Sequence, residues 1–194
     1  MRNSVFIAGA LLSGVAAMAQ ESAPTPMVET GLNYSFARVN PGGALSGFSQ
    51  NGGSAYVEYN VSRVVGLVAD FGAYHNGTIQ SLPVNDTTFS YLFGPRFNWR
   101  RSHFTPYIQT LVGGARLNTA LDPAGNAAPA AVTQNVFAAA LGGGLDIPLK
   151  NHFVVKPIQI EYLMLHPPAG APGLNYAQND LRYSAGVAFR FGSK

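Results

Sequence analysis

The sequence contains no cysteine, so it can form neither a disulfide framework nor a thiolate metal site. It is also poor in charge. Only 11% of the residues are Asp, Glu, Lys or Arg, against about 25% in ordinary soluble domains, which argues against a surface built for water. The twelve Lys and Arg, one of them Arg2, nearly balance nine Asp and Glu. They form no basic run of the kind that grips nucleic acid. Long apolar runs are missing too: the best candidate, Val136 to Leu149, is broken by Gly142-Gly143-Gly144 and by Asp146. Transmembrane helices are therefore not expected.

What is present begins with a leader. Arg2 precedes an apolar stretch from Val5 to Ala17, and the small-residue pattern Ala17-Met18-Ala19 follows. A cleaved signal peptide is expected over residues 1–19, with one domain over 20–194.

Within that domain the hydrophobic period is two, the mark of strands. Val28, Thr30, Leu32, Tyr34 and Phe36 alternate with Glu29, Gly31, Asn33 and Ser35. A second segment sets Ala55, Val57 and Tyr59 against Tyr56, Glu58 and Asn60, and a third sets Val65, Leu67, Ala69 and Phe71 against Gly66, Val68 and Asp70. The fourth is the clearest, with Phe89, Tyr91, Phe93, Pro95, Phe97 and Trp99 opposite Ser90, Leu92, Gly94, Arg96, Asn98 and Arg100. In the fifth, Phe104, Pro106, Ile108, Thr110 and Val112 face away from Thr105, Tyr107, Gln109 and Leu111; in the sixth, Phe137, Ala139, Leu141 and Leu145 oppose Ala138, Ala140, Gly142 and Asp146. The seventh places Val154, Ile158, Ile160, Tyr162 and Met164 against Val155, Gln159 and Glu161. Lys156 is the misfit on that apolar face, where it is expected to snorkel to headgroups. The last sets Leu181, Tyr183, Ala185, Val187, Phe189 and Phe191 against Arg182, Ser184, Gly186, Ala188 and Arg190.

Short connections fall near Val61 to Arg63, Arg100 to His103 and Lys150 to His152. Long ones fall near Asn40 to Gly53, Asn76 to Asp86, Asn118 to Gln134 and His166 to Asn179. Eight strands with alternating short and long connections imply an all-β, antiparallel up-and-down transmembrane barrel. A soluble barrel would also alternate, with its apolar face inside. The aromatics decide between the two. Tyr34, Phe36, Phe89, Tyr91 and Tyr183 gather toward the long connections, and Tyr59, Phe97, Trp99, Phe104, Phe189 and Phe191 toward the short ones, as two girdles would. The opposite face mixes Gly, Ala and Ser with charge, which suits a narrow bore. There Glu29, Glu58, Asp70, Asp146 and Glu161 are expected to answer Arg96, Arg100, Arg182 and Arg190 as an ionic plug. A gated ion path lined by the same residues is the rival reading.

The closing segment Asn179-Asp180-Leu181-Arg182-Tyr183-Ser184-Ala185-Gly186-Val187-Ala188-Phe189-Arg190-Phe191-Gly192, with Gln159-Ile160-Glu161-Tyr162 before it, resembles the OmpA-like outer-membrane β-barrel domains. The resemblance spans the mature chain. It implies a bacterial outer-membrane location, contact with outer-membrane lipid and lipopolysaccharide, and insertion by the barrel-assembly machinery, which reads a final strand ending in an aromatic. Here Phe191 is that aromatic, and three residues follow it. Full-length members also carry a peptidoglycan-binding domain, and no tether to the cell wall is expected here.

Enzymatic chemistry finds little footing. His103 and His152 fall in short turns, and His75 and His166 at the long-loop rim lack the serine two residues on that the barrel deacylases carry. Neither has the close partners a metal would need, and no cofactor is expected. Gly142-Gly143-Gly144 leads into no helix and is no phosphate loop. A bulge at Pro95, Pro106 or Pro157 would flip the facing beyond it, putting Gln109 and Glu161 most at issue. Arg116 is a rim arginine that could pair with lipid phosphate. The expected role is structural or surface-interacting, through external loops whose low charge names no partner. A narrow channel or carrier of small hydrophobic molecules is the alternative, and a lipid A modifying enzyme the third.

Overall fold

A computed structural model describes residues 25–40, 47–76, 84–121, 130–149, 152–166 and 178–192. The expected signal peptide and the middles of the long connections lie outside them. Eight strands run β1 (Val28–Val39), β2 (Phe48–Asn60), β3 (Val65–Asn76), β4 (Val84–Asn98), β5 (Thr105–Leu121), β6 (Ala130–Pro148), β7 (Phe153–His166) and β8 (Gln178–Phe191). Each pairs antiparallel with its sequence neighbours, and β1 pairs with β8 from Val28↔Phe191 to Arg38↔Leu181, so the sheet is a closed barrel. Closure gives every strand two partners and removes the unpaired edge that hydrocarbon would not tolerate.

Burial is the reverse of a soluble core. Phe93, Leu141 and Val187 are 46%, 59% and 53% exposed, whereas Arg96 and Arg182 are each 1% exposed. Apolar side chains therefore cover the outer wall and charged ones fill the bore. Between them the strands alternate residue by residue, as a period of two requires.

Three expectations need correction. The first concerns β7. Pro157 and Ile158 together oppose the single residue Ala185, a bulge that shifts the register between Lys156 and Gln159. Both bulged residues point outward. The facing therefore flips on the side before the proline: Val154 and Lys156 turn into the bore, and Lys156 is fully buried rather than snorkelling. Gln109 and Glu161 stay inside, at 1% and 0% exposure.

Second, strand extends into stretches whose composition reads as loop. β2 starts at Phe48, and β5 and β6 pair up to Leu121↔Ala130, so much of Asn118 to Gln134 is hairpin. Small polar residues and alanine satisfy a ladder as well as larger ones do when the backbone hydrogen bonds are made.

Third, the bore is not polar throughout. Toward the long connections Leu92, Leu111, Leu117, Val136, Leu163 and Leu165 are buried together against the inner wall of β4 to β7. The ionic groups lie mainly nearer the short turns.

Candidate functional site

The lower bore is organised around Arg96, which β4 directs inward between Asn98 and Leu92. Its Nη1 lies 2.9 Å from Glu58 Oε2 and 3.9 Å from Glu29 Oε1, and its Nε donates to Gln109 Oε1 at 2.8 Å. Asn98 Nδ2 donates to the other Glu58 oxygen at 2.6 Å, and the Tyr56 hydroxyl donates to Glu29 Oε1 at 2.7 Å. Tyr56 and Tyr107 place their rings 4.9 and 4.3 Å from the Arg96 guanidinium.

Lys156 enters the same cage from β7. Its Nζ sits 2.6 Å from Asp146 Oδ1 and 4.0 Å from Glu29 Oε1, and 4.4 Å from the Tyr107 ring centre. Arg190 closes the group across the β1–β8 seam, with Nε 2.6 Å from Glu29 Oε2 and Nη2 3.5 Å from Asp146 Oδ2.

A second group lies one layer up. Arg182 donates through Nε to Glu161 Oε2 at 2.8 Å, approaches Asp70 Oδ1 at 3.5 Å through Nη1, and bonds the Tyr74 hydroxyl. Gln109 couples the layers: while accepting from Arg96, it donates to Glu161 Oε1 at 2.7 Å. Tyr107 donates to Gln159 at 2.6 Å, and Gln159 to Glu161 Oε2 at 2.7 Å. The result is one connected path of polar contacts from Arg190 to Arg182.

Eight of the nine charges expected in the bore thus meet. Arg100 is the exception: it faces inward, but bonds Asn60 Oδ1 at 2.6 Å and the Arg63 carbonyl at 3.3 Å, and no described carboxylate lies within ion-pair distance of it. Lys156 is the base the sequence reading missed, and Asp86 and Asp180 are the acids. The signal available for Lys156 was Pro157, whose lost ladder donor makes a bulge beside it the natural accommodation. With Lys156 counted, these five acids face five bases; Asp86 and Asp180, buried nearer the long connections, are two further carboxylates, the first accepting from Gln50 Nε2 at 2.6 Å and the second from Asn40 N at 3.1 Å. Such partners matter because an unpaired charge in so confined a space costs several kcal/mol.

Three inward glycines make room for these groups. A Cβ on Gly66 would lie 2.1 Å from Glu58 Oε1, one on Gly142 2.5 Å from Glu161 Cγ, and one on Gly31 2.4 Å from the Tyr56 ring. The outer aromatics behave differently. Tyr34, Phe36, Tyr59, Phe89, Tyr91, Phe97, Trp99, Phe104, Tyr183 and Phe191 are all exposed. Phe189 is half-buried because it packs edge-on against Phe153 at 5.0 Å and against Phe191 at 4.7 Å. The register levels the girdles: Phe36 pairs with Tyr183, and Val28 stands between Tyr59 and Phe191. Among the described residues no group of three His, Asp or Glu could hold a metal ion.

An antiparallel sheet closed on itself, greasy outside and ionic within, is a membrane-spanning β-barrel. The sequence matches the family model described as "Outer membrane protein beta-barrel domain" over residues 7–194, and the chain belongs to that family of outer-membrane proteins. Among solved structures it is similar to Ail, the attachment invasion locus protein of Yersinia pestis (17% identity, 84% of this chain and 97% of that one, TM-score 0.62). Neisserial surface protein A is comparable (11% identity, 89% and 100% covered, TM-score 0.63), as is OprG from Pseudomonas aeruginosa (15% identity, 89% and 100%, TM-score 0.53). At these identities the likeness is one of fold. No curated protein sequence matches the chain.

Proposed function

We propose that the protein is a closed outer-membrane barrel with a structural or surface-interaction role, exercised through its external connections rather than by conduction. The observation that carries this is the connected network in the bore. Nine of its side chains or their tyrosine and glutamine partners, from Glu29 and Glu58 through Arg96, Tyr107 and Gln109 to Lys156, Gln159, Glu161 and Arg182, are below 2% exposed. Each charge there has an opposite partner, so an ion entering must displace a bond already made. Planar-bilayer recordings of the refolded protein test the reading: silence is expected, and a steady, salt-dependent conductance would overturn it.

Lipid contacts belong to the same reading. Arg38, His75, Arg116 and His166 project outward at the loop end of β1, β3, β5 and β7, all exposed, and these four positions suit the phosphates of lipopolysaccharide. An external partner of surface-interaction type has a precedent in fold: Ail has been solved in complex with the heparin analogue sucrose octasulfate. Export through the leader would leave a mature chain starting at Gln20, which N-terminal sequencing of the membrane-extracted protein reads directly. Insertion by the barrel-assembly machinery would be weakened by replacing Phe191.

One observation favours a second reading. The apolar inner wall formed by Leu111, Leu117, Val136, Leu163 and Leu165 suits a small hydrophobic molecule entering from outside. Saturable binding of an apolar fluorescent probe, lost in Leu111→Asp, would favour it. A lipid A modifying activity would show as altered lipid A masses on expression.

A further inference from the structure

The short connections of the chain carry formal charge of one sign. The three short connections, residues 61–64, 99–104 and 149–152, contain Arg63, Arg100, Arg101, Lys150, His103 and His152 and no Asp or Glu. Two of these connections meet. Between β2–β3 and β4–β5 lies a cavity of about 160 Å³ lined by Arg63, Val64, Asn98, Trp99, Arg100 and Arg101.

Its walls are fixed. Asn98 N donates to the Val64 carbonyl at 2.7 Å, Ser62 N donates to Val65 O at 3.0 Å, and Arg101 N donates to Phe104 O at 3.0 Å. The Ser62 hydroxyl accepts from Val65 N at 3.0 Å, which stiffens the Arg63 turn. Arg100, drawn inward by Asn60, bonds the Arg63 carbonyl at 3.3 Å and pins one turn to the other strand. Arg63 is exposed and Arg101 half-buried, so both keep access to solvent.

Depth identifies the ligand. Trp99, Phe97 and Phe104 are outward girdle residues, and girdle aromatics sit where acyl chains give way to headgroups. Arginines one or two residues beyond them stand in the headgroup layer. A guanidinium pair suits a phosphate oxyanion bidentately, while exposed Val64 and Trp99 offer apolar contact to the glycerol and first methylenes. In a barrel of this family the short turns and both ends of the sheet face the periplasm, so the lipid is one of the inner leaflet.

We propose that the cavity between the β2–β3 and β4–β5 turns binds the phosphate headgroup of an anionic inner-leaflet phospholipid, with Arg63 and Arg101 holding the phosphate and Trp99 the glycerol edge. This goes beyond the closed-barrel reading and does not depend on whether the bore conducts.

Trp99, the sole tryptophan, reports on its own site. Refolded protein in zwitterionic detergent is titrated with short-chain phosphatidylglycerol, with the matching phosphatidylcholine, and with inorganic phosphate, following Trp99 emission. A saturable change is expected with phosphatidylglycerol alone. In Arg63→Gln/Arg101→Gln its midpoint should rise about thirtyfold, given the strength of two basic contacts to an anionic lipid. The heat-dependent electrophoretic shift confirms that the variant is folded. Equal responses to both lipids, an equal response to inorganic phosphate at the same concentration, or an unshifted midpoint in the Arg63/Arg101 variant would each overturn the assignment.

Discussion

Lys156→Met gives opposite signs for the two possible facings of that residue. In the bore, Lys156 supplies the 2.6 Å contact to Asp146, and without it the carboxylate keeps only Arg190 at 3.5 Å. Breaking a buried pair on one side costs about 3–5 kcal/mol. Methionine of similar length fills the space between Tyr56 and Tyr107 and restores part of the packing, so a net loss of about 3 kcal/mol is expected. Removing the stranded acid as well, in Lys156→Met/Asp146→Asn, should return more than half of it. Were Lys156 on the lipid face near a strand end, the same change would be neutral or stabilising by about 1 kcal/mol. Denaturant unfolding and refolding in lipid vesicles, followed through Trp99, measures the difference, provided the two limbs coincide. A variant as stable as the parent, or a double variant no better than the single, would refute the inward, paired placement.

Gly142→Val should destabilise by about 1–3 kcal/mol, because its Cβ would meet Glu161 Cγ and the Ile160 carbonyl at 2.5 and 2.2 Å; the same unfolding assay checks it. Lipids brominated near the glycerol end of the chain should quench Trp99 more strongly than those brominated at mid-chain, as its outward position near the turn end requires. Arg38→Gln/Arg116→Gln should reduce retention of lipopolysaccharide by the purified protein in native mass spectrometry, while leaving thermal stability within about 0.5 kcal/mol, as for exposed substitutions generally.

The alternation that defines β4 and β8 is legible in the sequence because lipid and bore differ sharply as solvents. Phe93 and Val187 could not exchange places with Arg96 and Arg190 without burying charge in hydrocarbon. The same contrast made the inward facing of all nine expected charges recognisable, although Arg100 stands apart from the other eight. The contrast failed at β7, where one extra residue beside Pro157 shifts the phase: a strict period of two then assigns Lys156 to lipid, because its partners Asp146, ten residues back on β6, and Glu29, on β1, are invisible to any local pattern. The hairpin ends of β5 and β6 were lost for a different reason. Asn118, Thr119, Ala131 and Thr133 carry no amphipathic contrast, and their pairing is decided by the backbone of the strand alongside.

The seam between β1 and β8 has a temporal consequence. Glu29 and Arg190 are 161 positions apart in the chain, yet they bond at 2.6 Å, and ring closure depends on their strands meeting. The first strand must wait, without its second neighbour, for the last to be delivered, and contacts of such long sequence separation form slowly. Until the last strand arrives β1 keeps an open edge, and the Glu29–Arg190 pair can form only at closure.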